Sequence, residues 1–253
     1  MEENKFKFPT EIVELPSKGL VYPKDHPLAS GKIEMKYMTA KEEDILTNQN
    51  YIKQGIVIDK LLQSMIITKF DYNDLIVGDK DAIMLAARIL GYGKDYTFNY
   101  YSNNLEGTDE ITVDLTLLKE KILDEKLVTK EKNEFHFKLP HTGNEITFKL
   151  LTHGDESNID KEIQSLKKID KNSNSDMTTR LRYIILSVNG DYDKKTIREF
   201  INYGFLAKDS RAFREYINTI SPGVDLKYTH TYANGEEEDI NIPIGVNFFW
   251  PDA

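Results

Sequence analysis

The chain contains no cysteine. That absence removes disulfide bridges, thiol nucleophiles and thiolate zinc sites together, and leaves a protein indifferent to redox compartment. Long apolar runs are missing too. The longest, Ala82 to Ala87, stops at Arg88, far short of the roughly 20 residues that span a bilayer. No apolar stretch follows the opening Met1-Glu2-Glu3-Asn4-Lys5, so no signal peptide is expected. Positive charge is in deficit, 33 Lys and Arg against 42 Asp and Glu, a net charge of -9. Phosphate is repelled by such a surface, which argues against nucleic acid as a partner. The expectation is a soluble protein of the cell interior, or of a particle assembled there.

What is present suffices for a core. Forty per cent of the 253 residues are hydrophobic and 11% aromatic, compatible with one large domain or two smaller ones. Strands are predicted at Glu11–Leu15 and Lys32–Met38, the second alternating with Ile33, Met35 and Tyr37 on one face. Between them lies a loop interrupted by Pro16, Pro23 and Pro27. Thr39 with Glu42 three residues on forms a capping box. Asp59 and Asp79 are expected to cap two further helices, with apolar faces Leu62, Met65, Ile66 and Ala82, Ile83, Ala86, Ala87, Leu90; Gly91 and Gly93 close the latter. Tyr96-Phe98-Tyr100 and Ile111-Val113-Leu115 read as a hairpin around Asn103–Gly107. Residues 119–134 carry ten charges in sixteen positions, a linker or a short exposed helix.

After that run the order of elements starts again. A shift of 113 places Ile33, Met35, Lys36, Thr39 and Glu43 on Ile146, Phe148, Lys149, Thr152 and Glu156, and the capping box recurs as Thr152 with Asp155. Shifts of 119 and 130 place Leu62, Met65 and Ile66 on Leu181, Ile184 and Ile185, and Asp79, Ile83, Gly93 and Asp95 on Asp209, Phe213, Gly223 and Asp225. Leu15-Pro16 is matched by Leu139-Pro140, and the hairpin by Leu226-Tyr228-His230-Tyr232, Asn234-Gly235 and Ile240-Ile242-Ile244. Lys167 to Asp176 is the obvious insertion in the second half. The expected architecture is α+β, two tandem related modules of strands, three helices and a β-hairpin. The first spans 1–118, the charged segment 119–134, and the second 135–253.

Catalytic candidates are thin. The five histidines lack the helical spacing that sets two imidazoles on one zinc. His136 and His141 flank a predicted strand end and are read as packing residues before metal ligands. Gly91-Tyr92-Gly93 closes a helix instead of opening one, so it offers no pyrophosphate site. Asn189–Asp193 has calcium-like oxygen spacing, but Lys194 and Phe200 stand where glycine and a bidentate glutamate are needed; it reads as a turn between helices. The acid pairs Glu42-Glu43 and Glu236–Asp239 are read as solvated faces. No catalytic residue, cofactor or metal is expected.

Apolar residues at the ends remain: Phe6 and Phe8, and Phe248-Phe249-Trp250-Pro251, which holds the single tryptophan. Such rings either tuck onto the chain's own core or anchor an interface. Phe248, Phe249 and Trp250, then Tyr100 and Tyr101 on the first hairpin, are the expected partner-binding residues, and the hairpin edges are a second surface for pairing.

Leu15-Pro16-Ser17-Lys18-Gly19-Leu20-Val21-Tyr22-Pro23, Lys36–Leu46, Gly78-Asp79 and Ala87–Gly93 resemble the baseplate hub protein family of T-even-type contractile-tailed bacteriophages. Thr179–Arg182, Ser187–Asp191, Lys208–Ala212 and Phe248–Pro251 belong to the same pattern, so the resemblance runs from about residue 11 to 251. It implies a late, non-enzymatic protein that builds the central hub of the tail baseplate. Its partners would be other hub or tail proteins, without nucleic acid, membrane or small-molecule substrate. It would act in the host cytoplasm during assembly and take a place in the virion tail. A transient tail-assembly chaperone for a hub or tape-measure protein is the alternative, and a cell-envelope hydrolase a distant one. Relatives carry Cys-x-x-Cys pairs in the hairpins; here Tyr101-Ser102-Asn103-Asn104 and Tyr232-Ala233-Asn234-Gly235 stand instead, so cross-strand packing must hold them.

Overall fold

Period-two alternation buries Ile33 and Met35, at 1% and 0% exposure, under a two-stranded antiparallel sheet. The computed structural model describes residues 9–102, 107–128, 132–170, 175–232 and 234–249. Strand β1 (Thr10–Glu14) pairs with β2 (Lys32–Lys36), Val13 opposite Ile33. The helices α1 (Ala40–Leu46), α2 (Gln49–Gln54), α3 (Val57–Met65) and α4 (Val77–Tyr92) follow, then the hairpin β3 (Asp95–Ser102) and β4 (Gly107–Asp114). Its register sets Tyr96 opposite Val113 and Phe98 opposite Ile111. The short strand β5 (Glu120–Lys121) leads to β6 (Phe135–Lys138) and β7 (Glu145–Phe148). Then come α5 (His153–Ile169), α6 (Asp176–Ile184), β8 (Ile185–Val188), α7 (Lys194–Glu199) and α8 (Ala207–Ile220). The strand β9 (Gly223–Val224) and the hairpin β10 (Lys227–Thr231) and β11 (Glu237–Asn241) complete the fold, which is α+β with small antiparallel sheets throughout.

Several elements differ from expectation. Asp59 and Asp79 do not cap their helices: each sits at the third helical position, behind Ile56 and Ile76. The helix α2, capped by Asn48 and closed by Gly55 at φ 70°, is an addition to the three expected, so the described residues of the first half hold four α-helices. Ile185 is not the last residue of a helical face but the first of β8, which pairs with β7. The Asn189–Asp193 turn therefore joins a strand to a helix, and Asp193 caps α7 by accepting the N–H groups of Lys195 and Thr196. The charged run forms no α-helix among its described residues: β5 pairs with β9, and Leu123 is buried with its N–H on the Pro16 carbonyl. The turn residues Asn103 and Asn104, the aromatics Phe6, Phe8 and Trp250, and part of the 167–176 insertion lie outside the described residues.

Two polar devices recur. The Glu42 carboxylate accepts the backbone N–H of Thr39 at 3.0 Å and pairs with Lys36 at 2.7 Å; Asp155 accepts the N–H of Thr152 at 3.1 Å and pairs with Lys149 at 2.7 Å. Farther on, Asp79 accepts the N–H of Ser17 at 2.9 Å, its hydroxyl at 2.7 Å and the Tyr22 hydroxyl at 2.7 Å. Asp209 accepts the N–H groups of His141 at 2.8 Å and Thr142 at 3.0 Å, with the Thr142 hydroxyl at 2.8 Å. Each carboxylate thus ties the first turn of a helix to the loop after Leu-Pro. In the first loop the chain folds so tightly that a Cβ on Gly19, at φ 77°, would lie 2.4 Å from the Ala29 carbonyl oxygen; only glycine fits. Burial pushes the Asp79 carboxyl upward against its hydrogen bonds. At Asp209 burial is outweighed by the two backbone N–H groups and the Thr142 hydroxyl, which hold it down.

The Glu42–Glu43 pair is therefore not a solvated face. Glu42 is fully buried. Burial pushes its carboxyl upward, but hydrogen bonds from Lys36, Ser64 and Thr39 prevail and hold it down to about 2, against about 4.5 for an ordinary glutamate. A carboxyl held low in the folded state stabilises above its unfolded value and ceases to as pH falls through its folded value. Glu42→Gln should cost about 1–2 kcal/mol at neutral pH. In chemical denaturation the gap from wild type should narrow as pH falls from about 5 toward 2; a gap independent of pH would show that the ion pair contributes nothing.

Candidate interaction surfaces

Two of the terminal rings go inward. Phe248 and Phe249 are both 0% exposed. Phe248 meets Tyr96 of β3 edge-on at 4.9 Å between ring centroids and Phe249 at 5.1 Å, so the end of the second half closes over the hairpin of the first. The Tyr96 hydroxyl adds a bond to the Pro243 carbonyl at 3.3 Å. As the chain stands, neither phenylalanine offers surface to a partner.

The two hairpins meet through Glu238, whose carboxylate accepts the Tyr100 hydroxyl at 3.0 Å and the Tyr232 hydroxyl at 2.8 Å. Tyr100 is half-buried by this arrangement, whereas Tyr101, its neighbour on the opposite face of β3, is 57% exposed. Among the described residues each hairpin is a two-stranded sheet, with edges that no further strand pairs there. Beneath the first hairpin Arg88 is buried, donating to the carbonyls of Gly93 at 3.0 Å and Asp95 at 3.1 Å with its guanidinium over the Tyr92 and Tyr96 rings. A cation here satisfies the carbonyl end of α4 and fixes the hairpin's exit. Sequence reasoning passed over it, since a lone arginine in an apolar helix carries no motif.

Among the other exposed apolar side chains are Ile12 on β1, Leu117 after β4, Ile169 at the end of α5, Tyr192, and Tyr203 and Leu206 ahead of α8, the last two 86% and 52% exposed. A concavity of about 750 Å³ lies between the halves, with Ile76, Pro222, Asp81, Lys119, Lys149 and Glu156 among its walls. Burial pushes the Asp81 carboxyl up to about 6. His136 contacts the Thr147 hydroxyl at 3.3 Å, and His141 acts through its backbone N–H on Asp209. Among the described residues no group of three or more His, Asp or Glu is placed to hold a metal ion, and no helix is long and apolar enough to cross a membrane.

The model of the family described as T4 bacteriophage base plate protein matches residues 9–250. The chain belongs to that family. Both halves, both carboxylate locks and the buried Phe248-Phe249 pair fall inside the match, so the baseplate family's pattern extends over the whole fold described above. No curated protein and no solved structure matches the chain. Membership makes it a protein of the phage tail baseplate.

In this baseplate protein the two kinds of aromatic residue should respond oppositely to truncation. Phe248→Ala should lose about 3–5 kcal/mol in thermal or denaturant unfolding, whereas Tyr101→Ala should stay within about 0.5 kcal/mol of wild type. Equal effects would contradict the burial assigned to the two rings.

Proposed function

We propose that the chain is a subunit or assembly factor of the baseplate's central hub, that it works by protein–protein contact and not by catalysis, and that it is built from two related modules. The repeated locks support the modular part: Glu42 and Asp155 each accept the cap threonine's N–H and pair with a lysine, and Asp79 and Asp209 each accept the backbone N–H of the residue after Leu-Pro. The interaction part rests on one observation, the exposed Tyr101 on an open-edged hairpin whose inner face is fixed by Tyr100 and Glu238. A rigid aromatic that need not reorganise on docking is the kind of side chain that dominates protein interfaces.

The partners are other hub or tail proteins, met in the host cytoplasm during assembly. Phe248 and Phe249 serve that contact indirectly, by packing under the first hairpin and fixing its inner face. The apolar character of these groups favours protein over nucleic acid, as does the net charge of -9.

Tagged wild-type chain recovered from infected cells should bring down hub proteins, and Tyr101→Ala, folded normally by circular dichroism, should bring down at least several-fold less. Recovery of no baseplate protein would overturn the hub reading. Mass spectrometry of purified virions decides between the two hub roles: abundant peptides mean a structural subunit, and their absence means a chaperone that leaves.

A further inference from the structure

One of the contacts between the halves is a short ladder between one module's donor segment and the other's acceptor segment, and the reciprocal pair is left open. Just before α4, Leu75, Ile76 and Val77 run antiparallel to Leu151, Thr152 and His153. The Val77 N–H donates to the Leu151 carbonyl at 3.0 Å, and the His153 N–H donates to the Leu75 carbonyl at 2.7 Å. Ile76, opposite Thr152, is 1% exposed as a result.

By the same spacing that places Asp79 on Asp209, the second donor segment is Phe205, Leu206 and Ala207, just before α8. By the spacing that places Thr39 on Thr152, the second acceptor is Met38, Thr39 and Ala40, just before α1. The equivalent polar groups are the Ala207 N–H, the Phe205 carbonyl, the Met38 carbonyl and the Ala40 N–H. None of the four has a hydrogen-bond partner among the described residues. Leu206, at the position of the buried Ile76, is 52% exposed, and Tyr203, three residues earlier, is 86% exposed.

We propose that these open halves are filled by a second copy of this chain, Phe205–Ala207 of one molecule pairing antiparallel with Met38–Ala40 of the next. The inference rests on the two-module reading above. The chain itself supplies the template, since the closed copy of the same ladder already holds its halves together. A contact whose two sides are different surfaces is heterologous, so it joins chains head to tail and closes into a ring or runs on as a filament. Among the residues that differ between the two copies, one pair bears on how closely the segments approach. Gly154, where a Cβ would lie 3.0 Å from that of Asn73, is matched by Lys41. The residue that corresponds to Asn73 is Tyr203, and a lysine stem laid over an exposed tyrosine ring suits that pair. Two ladder bonds with two apolar side chains make a small interface, so association should be weak and depend on concentration.

Sedimentation of wild-type chain over a wide concentration range should show mass rising above the monomer, and Leu206→Asp, folded by circular dichroism, should lose that rise. Because the natural chain has no thiol, a mixture of Ala40→Cys chains and Leu206→Cys chains treated with a short bismaleimide should give the mixed dimer, well above the yield of either chain alone. Monomer at the highest soluble concentration, or self-linking as efficient as cross-linking, would overturn the proposal. An experimental structure separates the two ideas: halves that do not superpose sink the two-module reading and this contact with it. Superposable halves in a chain that stays monomeric sink only the contact, and a different protein bound at Leu206 would do the same.

Discussion

The fold depends on a carboxylate placed at the third position of a helix and turned away from that helix. Asp79 and Asp209 each reach across to a loop that follows Leu-Pro and take up its backbone N–H. A loop entering the interior carries polar groups that water can no longer satisfy, and an acceptor is the cheapest cure. An anion near a helix N-terminus is also favoured by the helix dipole, so the same group serves helix and loop. Without it the donors of Ser17 and Tyr22 would be buried unpaired, and Tyr22 also accepts the Ile76 N–H at 3.1 Å. The lock therefore extends to the residue at which the halves meet.

From that junction the two halves share one core. A single cluster runs from Leu15, Met35 and Ile83 through Phe148 and Phe213 to Phe248 and Phe249. The close approach of Gly78 to Pro222, where a Cβ would lie 2.0 Å from the carbonyl oxygen, and the pairing of β5 with β9 bind it further. This interlocking explains why Phe248 and Phe249 are spent inside the fold.

Much of this was legible in the sequence because it follows from local geometry. Alternation gave β2, the capping boxes at Thr39 and Thr152 gave the starts of α1 and α5, and aromatic alternation gave the first hairpin with Tyr96 and Phe98 inward. The misread features are those in which a partner distant in sequence decides. Asp79 looks like a cap because its true partner is 62 residues away, and Ile185 looks helical because β7 is what draws it into a strand. Glu42 looks exposed beside Glu43 until Lys36 and Ser64 are brought to it. Phe248 and Phe249 read as interface anchors at the chain end, and it is the distant first hairpin lying over them that buries them.

Hydrogen exchange read at single amides tests the paired locks most directly. The N–H groups of Ser17 and His141 should exchange only through global unfolding, and each should lose that protection when its own carboxylate is removed, in Asp79→Ala or Asp209→Ala. Exchange of either amide at the rate of an exposed loop in the wild-type chain would contradict the account.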